Sequence, residues 1–308
     1  MIRLDGNSLA AFRGCGVAGT VQSVAGCELF GAAREPLWAS PYSAAATRAL
    51  KDAFTAAQWV TIRDYGFAHP ALVPFINEDP MLVMSLIDGL GTRWLVGDGT
   101  AYIVTPSGNF ETGDVEEAKA KFYATIMNNE SAAFGIGNYP TFFFAFGWYA
   151  SKMGLFNKGT GTILGNIAVQ PNTVLEVEIK NEGTNSSTLK INGEYKGSFS
   201  GTGYPVNSDK SFDIFCRNKT RAMTGGIAYV ERIKNGNQTA MFYPFKRNGA
   251  MGMIDLLTGT FYGNANSSGS FSESIGWTTE EDDETNTVED NNQGGGDNNG
   301  GGEENVIG

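Results

Sequence analysis

Histidine and cysteine are nearly missing from this chain. Its 308 residues include one histidine, His69, and three cysteines, Cys15, Cys27 and Cys216, at spacings that match no metal-ligand pattern. They build neither a zinc site nor a disulfide framework, which predicts folding in a reducing compartment. Long hydrophobic runs are lacking too. The longest, Met81 to Ile87, falls far short of the ~20 residues of a membrane-spanning helix, so no membrane insertion is expected. The opening MIRLDGNSLAAFRGC has no apolar h-region, which predicts no cleavable signal. Basic residues are scarce: 22 Lys and Arg stand against 33 Asp and Glu. Residues 278–308 carry ten of those acids and no Lys or Arg, leaving 22 basic and 23 acidic groups over residues 1–277. A nearly neutral body without a basic stripe excludes a sequence-independent grip on nucleic acid. No carboxylates stand at calcium-loop spacing, so neither a metal nor a cofactor is predicted.

Glycine (41 residues) and aromatic side chains (12 %) are abundant, a profile of turn-rich β-sandwiches more than of helix bundles. From Ser43 to Val60 the apolar positions Ala46, Leu50, Ala53, Phe54, Ala57 and Val60 recur at helical spacing, behind Pro41. A loop punctuated by Pro70, Pro74 and Pro80 follows. Beyond it the pattern becomes short strands divided by turns. Asp98-Gly99 reads as the turn of a hairpin between Trp94–Val96 and Tyr102–Val104. Thr141 to Tyr149 (TFFFAFGWY) reads as a buried strand, and Val174 to Ile179 alternates as a half-buried one. Asn192-Gly193 between Leu189–Ile191 and Tyr195–Phe199 is a strong hairpin signal. Phe212–Phe215, Gly226–Arg232, Ala240–Phe245, Met251–Ile254 and Thr260–Tyr262 continue the series, the last two around Thr258-Gly259. Many short strands at such spacing predict a sandwich or barrel. The acidic, Asn- and Gly-rich stretch 277–308 is expected to be a disordered tail.

Several segments, in order, resemble one known family: TAYIVT (100–105), FGIG (134–137), TLKING (188–193), FDIFCRN (212–218), GIAYVERIKNGNQ (226–238) and the closing YPFKRNGAMGMIDLLTGTFYGNANSSGSFS (243–272). The likeness is to the laminin-G-like, concanavalin A-like jelly-roll domain of fibre-type structural proteins of phages and prophages of gut Bacteroidetes. Pro244, Arg247, Gly252, Asp255, Gly259, Phe261, Tyr262 and Asn264 follow that family's closing pattern, whereas Val104 and Pro106 stand where it usually has Asp and Gly. The resemblance spans about residues 93–275. It implies a mainly β chain: an antiparallel two-sheet jelly-roll sandwich over 86–276 and a small mixed α/β N-terminal region over 1–85 that serves for anchoring or oligomerisation. It further implies a virion component made in the host cytoplasm, partnered by other virion proteins and its own copies, which adheres to host cell-surface glycans. Residues 1–85 are expected to be ordered only through contacts with the sandwich or a partner, since short isolated helices are marginal.

Candidate chemistry is sparse. Glu176 and Glu178 share a strand face, as the two carboxylates of a retaining glucanase would, but Asn181 stands where a third acid belongs and Glu182 has the wrong parity. They read as solvent-facing charges, and no catalytic residue is assigned. His69 lies in a Pro-flanked loop without a nucleophile nearby, and the glycines at 159, 161 and 165 lack the lysine of a phosphate loop. The candidate ligand-binding residues are Trp148 and Tyr149, as a platform for stacking sugars beside Gly147, together with Arg217 and Asn218 as polar contacts. The period-two rule offers the alternative that Trp148 and the Phe residues of its strand face inward. The rival functions are a carbohydrate-active hydrolase on the same scaffold and a purely structural protein–protein module.

Overall fold

The computed structural model describes residues 40–106, 108, 113–127, 131–138, 141–149, 152–157, 163–181, 186–202, 211–217, 219 and 221–276, leaving aside the side chains of 137, 138, 141–144, 149 and 166. The expected tail at 277–308 and the first 39 residues lie outside this set. Where one helix was expected over 43–60 there are two, α1 (Ala44–Ala53) and α2 (Ala56–Ala68). Ser43 caps the first by accepting from the Ala46 N–H. Phe54 then turns extended, and Thr55 opens α2 with a reciprocal capping box to Gln58, so the local hydrogen bonds of Thr55 interrupt a continuous apolar stripe. The expected proline loop is also helical. Pro70 and Pro80 each begin a 3-10 turn, and Pro74 stands in the first turn of α3 (Val73–Glu78), ahead of α4 (Val83–Leu86). A first turn tolerates proline because its N–H would have no partner in any case.

Sixteen described strands follow: β1 (Thr92–Asp98), β2 (Ile103–Pro106), β3 (Glu116–Ile126), β4 (Ala132–Asn138), β5 (Thr141–Tyr149), β6 (Lys152–Phe156), β7 (Ile163–Ala168), β8 (Leu175–Asn181), β9 (Ser186–Ile191), β10 (Glu194–Ser200), β11 (Ser211–Ile214), β12 (Thr224–Lys234), β13 (Asn237–Arg247), β14 (Ala250–Asp255), β15 (Thr260–Tyr262) and β16 (Phe271–Gly276). They form two antiparallel sheets. The larger runs β10-β9-β8-β3-β12-β13-β14-β15, with β1 paired to β12 and β16, and the smaller runs β2-β11-β4-β5-β6-β7. The chain is thus mainly β with a two-sheet sandwich, as the strand pattern predicts.

Between the sheets lie Phe122, Phe134, Phe146, Trp148, Phe212 and Phe242, all buried, with Phe134 stacked on Phe146 and on Phe212. A second core lies on the opposite face of the larger sheet, where Leu50, Ile62, Ile76, Leu82 and Val83 of the helical layer cover Tyr243, Phe245 and Ile254. Strand β13 is therefore buried on both faces, which explains its unbroken apolar run. Arg93, 1 % exposed, ties the two layers: it donates to Asp79 at 2.7 Å, to Glu273 at 2.6 Å and to the Pro244 carbonyl at 3.3 Å, while Asp79 also accepts from the Lys246 N–H.

Asp98-Gly99 does not make the expected hairpin. β1 pairs with β12 and β16, β2 pairs with β11, and the turn carries the chain from one sheet to the other. The Asp98 carboxylate drives this crossover by accepting from the Thr100 and Ala101 N–H groups, the Thr100 hydroxyl, and Ser270 of the loop before β16. Partial burial pushes its pKa up, but these bonds outweigh that and hold the carboxyl below the usual range. The Asn192-Gly193 turn does close the expected hairpin, β9 to β10, with both residues at positive φ. The opening and closing segments of the sandwich meet, the Tyr102 N–H donating to Asn264 and its carbonyl accepting from the Ala265 N–H.

Candidate ligand-binding cleft at the sandwich mouth

A cleft of about 220 Å³ opens where the last residue of β2, Pro106, approaches the inner face of β12–β15. Its apolar floor is Ala240 and Phe242 of β13 with Tyr262 of β15; the Phe242 and Tyr262 rings meet edge to face, 5.7 Å between centroids. Alternation along β13 sends Ala240 and Phe242 inward while Tyr243 and Phe245 serve the helical layer. Partial burial, then the Asp255 charge, raises the Tyr262 pKa, so the phenol stays protonated and able to donate.

One rim is built by the turn after β14. Buried Asp255 accepts from the Met241 N–H at 3.0 Å, the Leu257 N–H at 3.1 Å and the Thr258 hydroxyl at 2.8 Å. The carboxylate is spent on shaping this turn, and Thr258 is presented beside Tyr262. The other rim is cationic. Arg232, 3 % exposed, lies over the Phe212 ring at 4.4 Å, donates Nε and Nη2 to Glu116 Oε1 at 2.8 and 2.6 Å, and donates Nη1 to the Pro106 carbonyl. Lys234 pairs with Asp114 at 2.7 Å. Glu116 is fully buried behind Arg232, and its Oε2 has no hydrogen-bond partner among the described residues. Burial pushes its pKa up to about 7, against the lowering pull of Arg232 and Lys234. An aromatic floor with hydroxyl and cationic rims suits the apolar face and hydroxyls of a small polar ring, while the nearest carboxylates are engaged in holding the walls.

The four sequence candidates do not line this cleft. Trp148 is fully buried in the inter-sheet core and offers no face to a sugar, a correction to its reading as a platform; even spacing with Phe146 along β5 puts it on the inner side. Arg217 is 4 % exposed and lies over the Phe156 ring at 4.5 Å, packed rather than presented. The side chains of Tyr149 and Asn218 lie outside the described residues. Glu176 and Glu178 stand on the outer face of β8 as expected, Glu176 bonded to Tyr229, and Glu178 contacting Lys190 at 2.7 Å and Lys119 at 3.8 Å. His69 ends α2 with its ring 4.2 Å from that of Tyr65. Burial pushes the Cys216 thiol far up, so it stays protonated and unreactive. The signal for the cleft was present in the closing segment, where Asp255, Thr258-Gly259 and Tyr262 fall within eight residues; Arg232 carried none.

No protein-family model matches the chain, nor does any curated protein. Among solved structures it is similar to a native heptameric SAP-like pentraxin from Limulus polyphemus, at 10 % identity over 47 % of this chain and 77 % of that one, TM-score 0.35. A protein of Bacteroides ovatus, described from inference as carbohydrate binding, matches at 11 % identity over 60 % of each chain, TM-score 0.41. Tailspike protein 2 of an Escherichia coli O157:H7 bacteriophage matches at 16 % identity over 47 % of this chain and 26 % of its own, TM-score 0.31. These are partial overlaps at low identity and bring neither a ligand nor a site residue to this chain.

Proposed function

We propose that this chain is a non-enzymatic, lectin-like sandwich of a phage or prophage particle, where it assembles with other virion proteins and with its own copies and adheres to host glycans. The observation that carries the binding part is the mouth cleft, with the half-exposed Tyr262 ring framed by Thr258, Lys234 and Arg232. Its volume of about 220 Å³ suits a single sugar ring. The non-enzymatic part is supported by the occupation of the nearby carboxylates: Asp255 takes two donors from its own turn and a third from the Met241 N–H of β13, and Glu116 is enclosed behind Arg232. The virion part draws its support from the resemblance of the closing segment, Pro244 to Asn264. A glycan array probed with the full chain and with Tyr262→Ala tests the reading. Binding to at least one neutral glycan, weakened about tenfold or more by Tyr262→Ala, is the expected result. Turnover of any bound glycan, or binding indifferent to Tyr262→Ala, defeats it.

A further inference from the structure

A second cavity, of about 260 Å³, lies on the outer face of the larger sheet where the helical layer ends. Lys121 of β3 and Tyr229 of β12 form its floor, and Ser85 of α4, Asp88 and Arg93 form its wall. Three hydrogen-bond donors in this lining have no acceptor among the described residues. The Lys121 ammonium has no ion pair, although Lys119, Lys180 and Lys190 on the same sheet face each contact a glutamate. Glu176, opposite Lys121 in the β3–β8 register, is bonded to Tyr229 instead. The Ser85 hydroxyl is buried without a partner. Arg93 is 1 % exposed and commits Nε to Glu273 and Nη1 to Asp79 and Pro244, which leaves Nη2 unused.

The enclosed Ser85 hydroxyl carries a desolvation cost unless something accepts from it, and the two donors beside it, on Lys121 and Arg93, carry charge. Their complement is an acceptor-rich, ionised group, since charge-assisted bonds are the stronger ones. Asp88, exposed at the rim, disfavours a compact inorganic anion and accepts from hydroxyls. The Tyr229 ring, partly exposed, offers a face to an apolar ring surface. We propose that this cavity binds the carboxylate-bearing unit of an acidic saccharide, with Lys121, Ser85 and Nη2 of Arg93 on the carboxylate and Asp88 and Tyr229 on the sugar. The inference rests on the chain being a glycan-binding sandwich, but its site is separate from the mouth cleft.

Titration calorimetry on the full chain, with galacturonate and glucuronate oligosaccharides, their methyl esters and sodium sulfate as probes, tests it. At least one acid oligosaccharide should bind, its methyl ester at least about tenfold more weakly, and sulfate should not displace it at equal concentration. Lys121→Met should weaken the acid form by about tenfold with an unchanged melting temperature, Ser85→Ala should weaken it several-fold, and Tyr262→Ala should leave it unaltered. Equal binding of acid and ester, sulfate displacing the saccharide, or indifference to both Lys121→Met and Ser85→Ala would overturn the proposal. So would loss of binding through Tyr262→Ala, which would move the ligand to the mouth cleft. If no acid oligosaccharide binds while neutral glycans still depend on Tyr262, this site falls and the lectin-like reading stands.

Discussion

Glu116 illustrates how a residue's surroundings reverse what its type suggests. In the sequence it is one of two adjacent glutamates, a pattern that reads as surface. In the structure its parity along β3 matches Ala118, Ala120 and Phe122, so it points between the sheets and Arg232 meets it there. The cost of burying the carboxylate outweighs the attraction of Arg232, and the folded-state pKa rises from 4.5 to about 7. A raised acid pKa means that the folded state holds the proton more tightly than the unfolded chain. The resulting stability is therefore full below about pH 4.5 and is lost as pH rises through about 7. Thermal melts from pH 4 to 8 should show a decline across that window, up to about 3 kcal/mol for this group alone. Glu116→Gln, which cannot titrate, should flatten the curve relative to the parent. A parent and variant with the same slope would show that Glu116 ionises normally.

At the scale of elements, legibility followed whether the pattern was local. β8 could be read because Leu175, Val177 and Ile179 alternate with charged partners, and the β9–β10 turn because Asn192-Gly193 satisfies its own positive φ requirement. β3 is not legible in the sequence: its inward positions include the small Ala118 and Ala120, which give little hydrophobic contrast with the stems of Lys119 and Lys121 beside them. The Asp98 turn failed as a hairpin because its fate depends on Ser270, 172 residues away, and the proline segment failed because proline in a first turn looks like proline in a loop. The cleft was half legible for the same reason. Asp255 and Tyr262 belong to one local motif, while Arg232 reaches them only through sheet pairing. Contacts of this long-range kind also fasten the helical layer. Arg93→Met should cost about 3–5 kcal/mol in urea unfolding, because it strands Asp79, 5 % exposed, without its cation. The double change Arg93→Met with Asp79→Leu should recover most of that loss. A cost under about 1 kcal/mol for the single change would show that the pair does not fasten the two layers.

At the scale of the whole molecule, the helical layer and the sandwich share one boundary that neither can leave exposed. Leu50, Ile62, Ile76, Leu82 and Val83 share one buried cluster with Tyr243, Phe245 and Ile254 on the outer face of β13 and β14. Four helices of 4 to 13 residues are too short to hold themselves in water. Gly66 adds a geometric condition: α2 lies so close to the Tyr42 ring that any Cβ there would collide with it, so the layer must pack in one particular way. Folding of residues 40–86 is thereby coupled to folding of the sandwich. Calorimetry on the full chain should show a single transition with equal calorimetric and van't Hoff enthalpies. Phe245→Ala, which opens a cavity at the shared boundary, should lower that one transition by about 3–5 kcal/mol of stability without splitting it. Circular dichroism of the helices reports one layer and tryptophan fluorescence, read in a variant that keeps only Trp148 of the five tryptophans, reports the sandwich. Their melting curves should coincide in the parent and in Phe245→Ala alike. Separate transitions, with the helical signal lost first, would mean that the layer is an appendage on a sandwich that is stable without it.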